Sequence, residues 1–206
     1  MFSPGDIFRA TNEGKLMTRR DIVVIGGSAG SLEGLKILIA ALPSTIPAAL
    51  LIVTHIPANT RIFLGEILNR AGSLPAIHPE DGEPIINGHI YLPTAGQHLL
   101  VESNCILLTC DCKEKFSRPC IDVLFSSAAK CYGSRAIGTL MSGALDDGTA
   151  RLATIKEHGG IALVQSPEEA PYPSMPSSAI ERVPVDGVMK MADMANAVVQ
   201  FVQPNL

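Results

Sequence analysis

The stretch DIVVIGGSAG, residues 21–30, is the part of the sequence that decides the fold. Its apolar first half predicts a buried strand over 21–26, and the small residues after it predict a tight turn into a helix. Gly26, Ser28 and Gly30 match the pattern G-x-S-x-G, in which a strand-to-helix turn presents a serine hydroxyl at the edge of a sheet. The pattern therefore indicates Ser28 as a candidate nucleophile.

Strands and helices alternate along the chain after this first unit. Apolar runs predict further strands over 49–55, 136–142 and 160–164. Apolar residues at helical spacing predict helices over 31–41, 60–70, 121–132, 148–158 and 191–202. This alternation predicts an α/β fold with a doubly wound, mainly parallel sheet and helices on both of its faces.

Three parts of the chain depart from the alternation. Residues 73–109 consist of short, turn-rich segments, which predict antiparallel hairpins inserted beside the main sheet. Residues 166–178 contain four prolines and predict a long ordered loop. Residues 1–20 are polar and show no sustained period, so we interpret them as a tail or linker remnant before a single domain over 21–206.

Composition and charge narrow the classes of function. The chain has 206 residues, of which 47% are hydrophobic and 17% are charged, values typical of a globular domain. A net charge of −4 without a long basic run argues against nucleic-acid binding. The sequence has no apolar run of about 18 residues, which argues against membrane insertion. Its five cysteines, an odd number, indicate free thiols in a reducing compartment, so we expect a cytoplasmic protein.

Two further predicted strands end in reactive side chains. His55 ends the second predicted strand, and Asp146 and Asp147 follow the third. Because the carboxyl ends of parallel strands meet at one edge of a sheet, these groups are expected near Ser28. A serine hydroxyl needs a base to become nucleophilic, and an imidazole needs a carboxylate to fix its tautomer. The set predicts a hydrolase, and one of the two aspartates is also expected to cap the following helix, a role that can coexist with catalysis.

These residues also have uses other than hydrolysis. A serine in a glycine-rich turn can cap a helix or bind a phosphate, and His55 can simply end a strand. The dinucleotide pattern G-x-G-x-x-G fails at Ser28 and Ser31, so a nucleotide-binding protein is the less favoured alternative. Cys110, Cys112 and Cys120 lack metal-site spacing, and we expect them to be surface or half-buried thiols. The sequence thus predicts no metal and no cofactor.

Five collinear stretches resemble the catalytic domain of the CheB-type chemoreceptor methylesterases, over about residues 21–203. They are VIGGSAG at 24–30, LIVTHIP at 51–57, IYLP at 90–93 with HLL at 98–100, RPCIDVLF at 118–125 and SGALDDG at 142–148. The last two are similar to the family segments R-P-S-V-D-V-L-F and T-G-M-G-N-D-G. The resemblance implies that Ser28 is the nucleophile, His55 the base and Asp147 the third member, since Asp146 stands where the family has asparagine.

The same resemblance implies a function and further site residues. It implies hydrolysis of γ-glutamyl methyl esters, together with deamidation of glutamines, on the cytoplasmic part of methyl-accepting chemotaxis receptors. The backbone N–H groups of Ala29 and Ala144 are then expected to form the oxyanion hole, and Arg118 to contact acidic receptor residues. The sequence does not predict an oligomeric state.

Three residues depart from the family pattern in this region. Ala29 replaces a threonine of the family turn G-A-S-T-G-G, while Ala144 and Leu145 replace a methionine and a glycine. A misplaced oxyanion donor lowers a rate by on the order of a hundredfold or more. These departures motivate an alternative, a catalytically weak receptor-binding module with the same fold.

Overall fold

The structure is a computed structural model and describes residues 19–55, 63–114 and 117–203. Its strands are β1 (Ile22–Gly27), β2 (Ala49–Thr54), β3 (Ala76–Ile77), β4 (Ile90–Tyr91), β5 (His98–Glu102), β6 (Cys105–Thr109), β7 (Ala136–Leu140), β8 (Ile161–Gln165) and β9 (Gly187–Met189). Its α-helices are α1 (Ser31–Ala41), α2 (Leu64–Ala71), α3 (Ile121–Tyr132), α4 (Thr149–Glu157), α5 (Ser174–Arg182) and α6 (Met191–Val202).

The main sheet is parallel, with the strand order β3-β4-β2-β1-β7-β8-β9. The central strand β1 pairs with β2 on one side and with β7 on the other. At its carboxyl end Gly27 lies opposite Thr54, and Gly26 lies opposite Leu140. The connections that follow these three strands therefore leave the sheet at one edge, where ligands bind in open α/β sheets.

The side chains of β1 alternate between two apolar cores, one on each face of the sheet. Val23 and Ile25 belong to the core that also contains buried residues of α1, α2 and α6. Ile22 and Val24 belong to the core that contains buried residues of α3, α4 and α5. A strand buried on both faces needs helices on both sides, so the prediction of a doubly wound α/β fold is confirmed.

Most predicted elements are found within two residues of their predicted ends. Helices α1, α3 and α6 have the predicted bounds, and β1, β2, β7, β8 and α4 differ by one or two residues. The helix predicted over 60–70 corresponds to α2, and the beginning of that prediction lies outside the described residues. Long apolar patterns have well-defined periods, which explains this agreement.

The predictions for 73–109 and 166–178 were right only in part. Strands β5 and β6 do form an antiparallel pair. Strands β3 and β4 instead join the main sheet in parallel, with only two residues each, which is too short for an alternating pattern to show. Helix α5 begins at Ser174, inside the predicted loop. Pro176 stands in its first turn, where an N–H group would have no partner within the helix, so this proline does not prevent helix formation.

The amino end of the sheet is held by an ion pair. The guanidinium of Arg135, just before β7, donates to both carboxylate oxygens of Asp21, just before β1, at 2.8 Å and 2.8 Å.

Within the described ranges, no helix combines the length and the hydropathy needed to cross a membrane. The tail predicted over 1–20 lies almost wholly outside the described residues, so the predicted division at residue 21 stays a prediction.

Candidate active site

Main-chain hydrogen bonds bring three strand ends together around Ser28. The Ser28 N–H donates to the carbonyl oxygen of Ser142, after β7, at 2.9 Å. The His55 N–H donates to the carbonyl oxygen of Gly27 at 3.1 Å. Ser28 therefore lies between the chain segments that carry His55 and Ser142, at the carboxyl edge of the sheet.

The turn that bears Ser28 is held by its own side chains and by close packing. The Ser31 N–H and hydroxyl both donate to the Ser28 carbonyl oxygen, at 3.1 Å and 2.7 Å. Gly30 has a φ of 75°, which a glycine adopts without strain. A Cβ placed on Gly143 would lie 2.8 Å from the Ser28 Cβ, so the chain after β7 packs directly against the candidate nucleophile.

The carboxylate of Asp147 is buried and anchored at the N-terminus of α3. It accepts the N–H groups of Ile121 at 2.8 Å and Asp122 at 3.1 Å, and the Cys120 thiol at 3.3 Å. The first N–H groups of a helix have no partner within the helix and favour a negative charge. Burial raises the pKa of Asp147, but the contacts with His55 and these N–H groups outweigh it and hold the pKa below the ordinary 3.8.

The structure brings His55 and Asp147 together. Nε2 of His55 lies 2.8 Å from Oδ2 of Asp147, at ion-pair distance, although the ring N–H is not aligned as in a regular hydrogen bond. Nδ1 is then the ring nitrogen left to accept a proton. The contacts of Ser28 and His55 include no hydrogen bond between the Ser28 hydroxyl and the imidazole. Such bonds are often loose in a free enzyme and tighten when the substrate binds.

Helices α3 and α4 are capped by each other's aspartates. Asp147, before α4, caps α3, while Oδ1 of Asp122 in α3 accepts the N–H groups of Gly148 at 3.1 Å and Arg151 at 3.3 Å. The sequence suggested that an aspartate of the 146–147 pair caps the helix directly after it. The carboxylate of Asp122 caps that helix in the structure, and sequence reasoning missed this residue although it lies in the resembling stretch 118–125.

Glycines allow this arrangement by letting Ile121 approach the sheet. A Cβ on Gly26 would collide with the Ile121 side chain, and a Cβ on Gly148 would lie 2.7 Å from it.

Asp146, in contrast to Asp147, points outward and accepts a hydrogen bond from Arg182 Nη1 at 3.0 Å. The buried member of the aspartate pair is therefore Asp147, the one that contacts His55.

Cys120 is buried, contrary to the expected surface or half-buried thiol. Burial and the neighbouring Asp147 carboxylate raise the pKa of its thiol to about 12. The thiol therefore stays protonated at neutral pH and can only donate to Asp147. Cys110 and Cys112 are exposed, as expected. No cluster of three or more histidine, cysteine or acidic side chains suited to a metal ion occurs in the part of the chain that the structure describes.

The two residues expected to form the oxyanion hole, Ala29 and Ala144, directly follow Ser28 and Gly143, which pack against each other. Ala29 is fixed because its carbonyl oxygen accepts the Ser142 hydroxyl at 2.8 Å. Among residues 19–55, 63–114 and 117–203, neither the Ala29 N–H nor the Ala144 N–H has a hydrogen-bond partner, and their role as oxyanion donors stays a prediction. Leu145, which follows, has a φ of 66°, a left-handed conformation that costs a leucine about 1–2 kcal/mol.

Arg118 makes main-chain contacts. Its Nη1 donates to the carbonyl oxygens of Cys110 at 2.8 Å and Asp111 at 2.7 Å. The guanidinium thus ties the end of the β5–β6 hairpin to the segment before α3. Its expected contact with substrate stays a prediction.

Comparisons with known proteins show the family of this chain. The sequence profile of the CheB methylesterase family matches residues 23–198. A relative from Leptospira interrogans is 35% identical over 187 residues, which are 90% of this chain and 97% of that protein. The protein-glutamate methylesterase/protein-glutamine glutaminase of Photorhabdus laumondii is 34% identical over 184 residues, 87% of this chain and 52% of that protein.

A solved structure matches as well. The crystal structure of the Thermotoga maritima CheB methylesterase catalytic domain superimposes with a TM-score of 0.84 at 28% identity, covering 90% of this chain and 100% of that one. The resemblance deduced from the sequence is confirmed. The chain belongs to the CheB methylesterase family, a family of carboxylic ester hydrolases.

Proposed function

We propose that this protein is a serine hydrolase that removes methyl groups from γ-glutamyl methyl esters on chemoreceptor cytoplasmic domains, and that it deamidates glutamines there. The observation that carries the proposal is the buried, ionised Asp147 held 2.8 Å from His55, beside the turn that bears Ser28. The name of the Photorhabdus relative supports both activities. The proposed partners are methyl-accepting chemotaxis receptors, and the proposed location is the cytoplasm, where that part of a receptor lies.

In the first half of the reaction, the Ser28 oxygen attacks the ester carbonyl and His55 accepts the serine proton as general base. Asp147 keeps the ring oriented and stabilises the imidazolium that forms. The carbonyl oxygen becomes an oxyanion, which the N–H groups of Ala29 and Ala144 receive. Since these donors are main-chain groups, the alanines can serve where the family has threonine and methionine.

In the second half, the methoxy group takes the proton from the His55 imidazolium and leaves as methanol, while the glutamyl group stays bonded to Ser28. Water then loses a proton to His55 and attacks the acyl carbonyl. The second intermediate breaks its bond to the serine oxygen, which regains a proton from His55, and a glutamate is released. A glutamine amide follows the same steps with ammonia as the leaving group.

The test is methanol release from a methylated receptor cytoplasmic fragment. We expect Ser28→Ala to lower the rate by about 10³-fold or more, because the variant lacks the group that forms the acyl bond. The matched control is Ser44→Ala, which removes an exposed hydroxyl after α1, on the opposite edge of the sheet. This control is expected to keep the wild-type rate. Equal rates for the wild type and Ser28→Ala would contradict the mechanism.

Labelling with a serine-reactive phosphonate distinguishes the proposed hydrolase from the alternative, a catalytically weak binding module. The hydrolase is expected to be labelled at Ser28, with loss of labelling in Ser28→Ala and in His55→Ala. Wild-type protein that binds the receptor fragment but neither takes up the label nor releases methanol would favour the binding module.

A further inference from the structure

Two large apolar side chains are exposed beside the candidate active site. Leu145 is 76% exposed and Tyr172 is 52% exposed. Both belong to segments that hold the Ser28 turn. Leu145 comes two residues after Gly143, whose Cα faces the Ser28 side chain, and the Tyr172 ring lies against Gly30, with its Cδ2 2.9 Å from the position of a Cβ there. We call this pair the apolar rim.

The backbone of the apolar rim is fixed. The Tyr172 N–H donates to the Ser142 hydroxyl at 3.0 Å, and its carbonyl oxygen accepts the Gly143 N–H at 3.0 Å. On the other side of Leu145, Asp146 pairs with Arg182 at 3.0 Å. The two side chains are therefore presented to solvent by an ordered frame.

The position of Leu145 combines a strained backbone with an exposed side chain. Its φ of 66° is strained for a residue with a Cβ, and its side chain is too exposed to recover that cost by packing. The family segment T-G-M-G-N-D-G has glycine here, which would carry no strain. Backbone strain that persists without a packing reason is typical of functional sites.

We propose that the apolar rim docks the protein substrate, by contacting apolar side chains next to the esterified glutamate. This inference rests on the proposed function. A glutamyl methyl ester is uncharged, and the carboxylate next to Leu145 is neutralised by Arg182, so an apolar surface suits this substrate. On a helix, the residues three and four positions from the ester project to the same side, within reach of a rim that flanks the nucleophile.

The kinetic test compares two substrates, a methylated receptor fragment and a short polar peptide with one glutamyl methyl ester. We expect Leu145→Gly and Tyr172→Ala each to raise KM for the fragment by about tenfold, with a clearly smaller effect on the peptide. Ile37→Ala is the matched control, because it removes an apolar side chain that is 46% exposed on α1, away from the rim. Leu145→Gly is also expected to keep or raise the Tm, since it relieves strain.

A binding measurement separates this inference from the proposed function. In the Ser28→Ala background, adding Leu145→Gly is expected to weaken binding of the methylated fragment by about tenfold. Equal binding with and without Leu145→Gly, or no binding of the fragment at all, overturns the apolar rim. Absence of methanol release by the wild type overturns the proposed function instead, and the binding result stands by itself.

Discussion

The two ends of the sheet each hold a buried carboxylate against a basic side chain, with different consequences. At the amino end, Asp21 receives two parallel hydrogen bonds from Arg135, whose guanidinium is always charged. At the carboxyl end, Asp147 faces His55, whose imidazole can take up and release a proton. The first pair joins the starts of β1 and β7. The second pair lies next to the turn that bears Ser28, where the proposed reaction uses proton transfer.

The difference follows from what each edge of a parallel sheet offers. The carboxyl edge is where strands turn into helices, so unpaired N–H groups at helix starts are available to hold a carboxylate. Asp147 accepts those of Ile121 and Asp122, and together with His55 they hold its pKa below the ordinary value. Similar pairs of a carboxylate and a basic side chain thus serve stability at the amino end of the sheet and, in the proposed mechanism, proton transfer at the carboxyl end.

Exchanging each carboxylate for an amide tests this comparison with the largest expected effect. We expect Asp147→Asn to lower kcat for ester hydrolysis by about 10³-fold to 10⁴-fold, since the imidazole loses the anion that orients it. Asp21→Asn is expected to keep kcat and to lower the free energy of unfolding by about 1–2 kcal/mol. Methanol release measures kcat, and urea unfolding measures the free energy of unfolding. A large loss of kcat in folded Asp21→Asn would contradict the separation.

A smaller effect on the rate is expected from adding a side-chain atom next to Ser28, at the carboxyl edge of the sheet. Gly143→Ala puts a Cβ 2.8 Å from the Ser28 Cβ and also against Met175, so we expect the rate to fall by about tenfold or more. Overpacking of this kind lowers the free energy of unfolding by about 1–3 kcal/mol. The control is Gly65→Ala in α2, where the nearest atom to the new Cβ outside that helix, among the described residues, is His78 Nε2 at 3.6 Å. An undiminished rate in Gly143→Ala would show that the edge is not tightly packed.

The smallest expected effect is the change of the free energy of unfolding with pH. Because the folded state lowers the pKa of Asp147 below 3.8, its carboxylate contributes stability above the unfolded-state pKa, and that stability is lost as pH falls through the folded-state pKa. The difference in unfolding free energy between the wild type and Asp147→Asn is expected to be largest near neutral pH and to shrink below about pH 4. Urea unfolding of both proteins at several pH values measures it. A difference that grows in acid would contradict the sign.

The sequence was most informative where a single element carries the signal. Ser28 and His55 could be located because each follows an apolar strand with a clear end. Helix α5 and the two-residue strands β3 and β4 could not, since their patterns are too short or contain proline. The role of Asp122 depends on two helix starts meeting in space, 26 positions apart for its bond to Gly148, and no local pattern encodes that meeting. The burial of Cys120 has the same cause.

The crossed capping of α3 and α4 has a consequence for how this fold can diverge. Asp147 is both the proposed catalytic partner of the imidazole and the cap of α3. Its loss would therefore destabilise the start of a helix as well as stop the proposed reaction. A descendant that abandoned catalysis would still be under pressure to keep this aspartate. Among distant relatives, the presence of an acid at this position is therefore a poor marker of an active enzyme, and the serine and histidine are the residues to inspect.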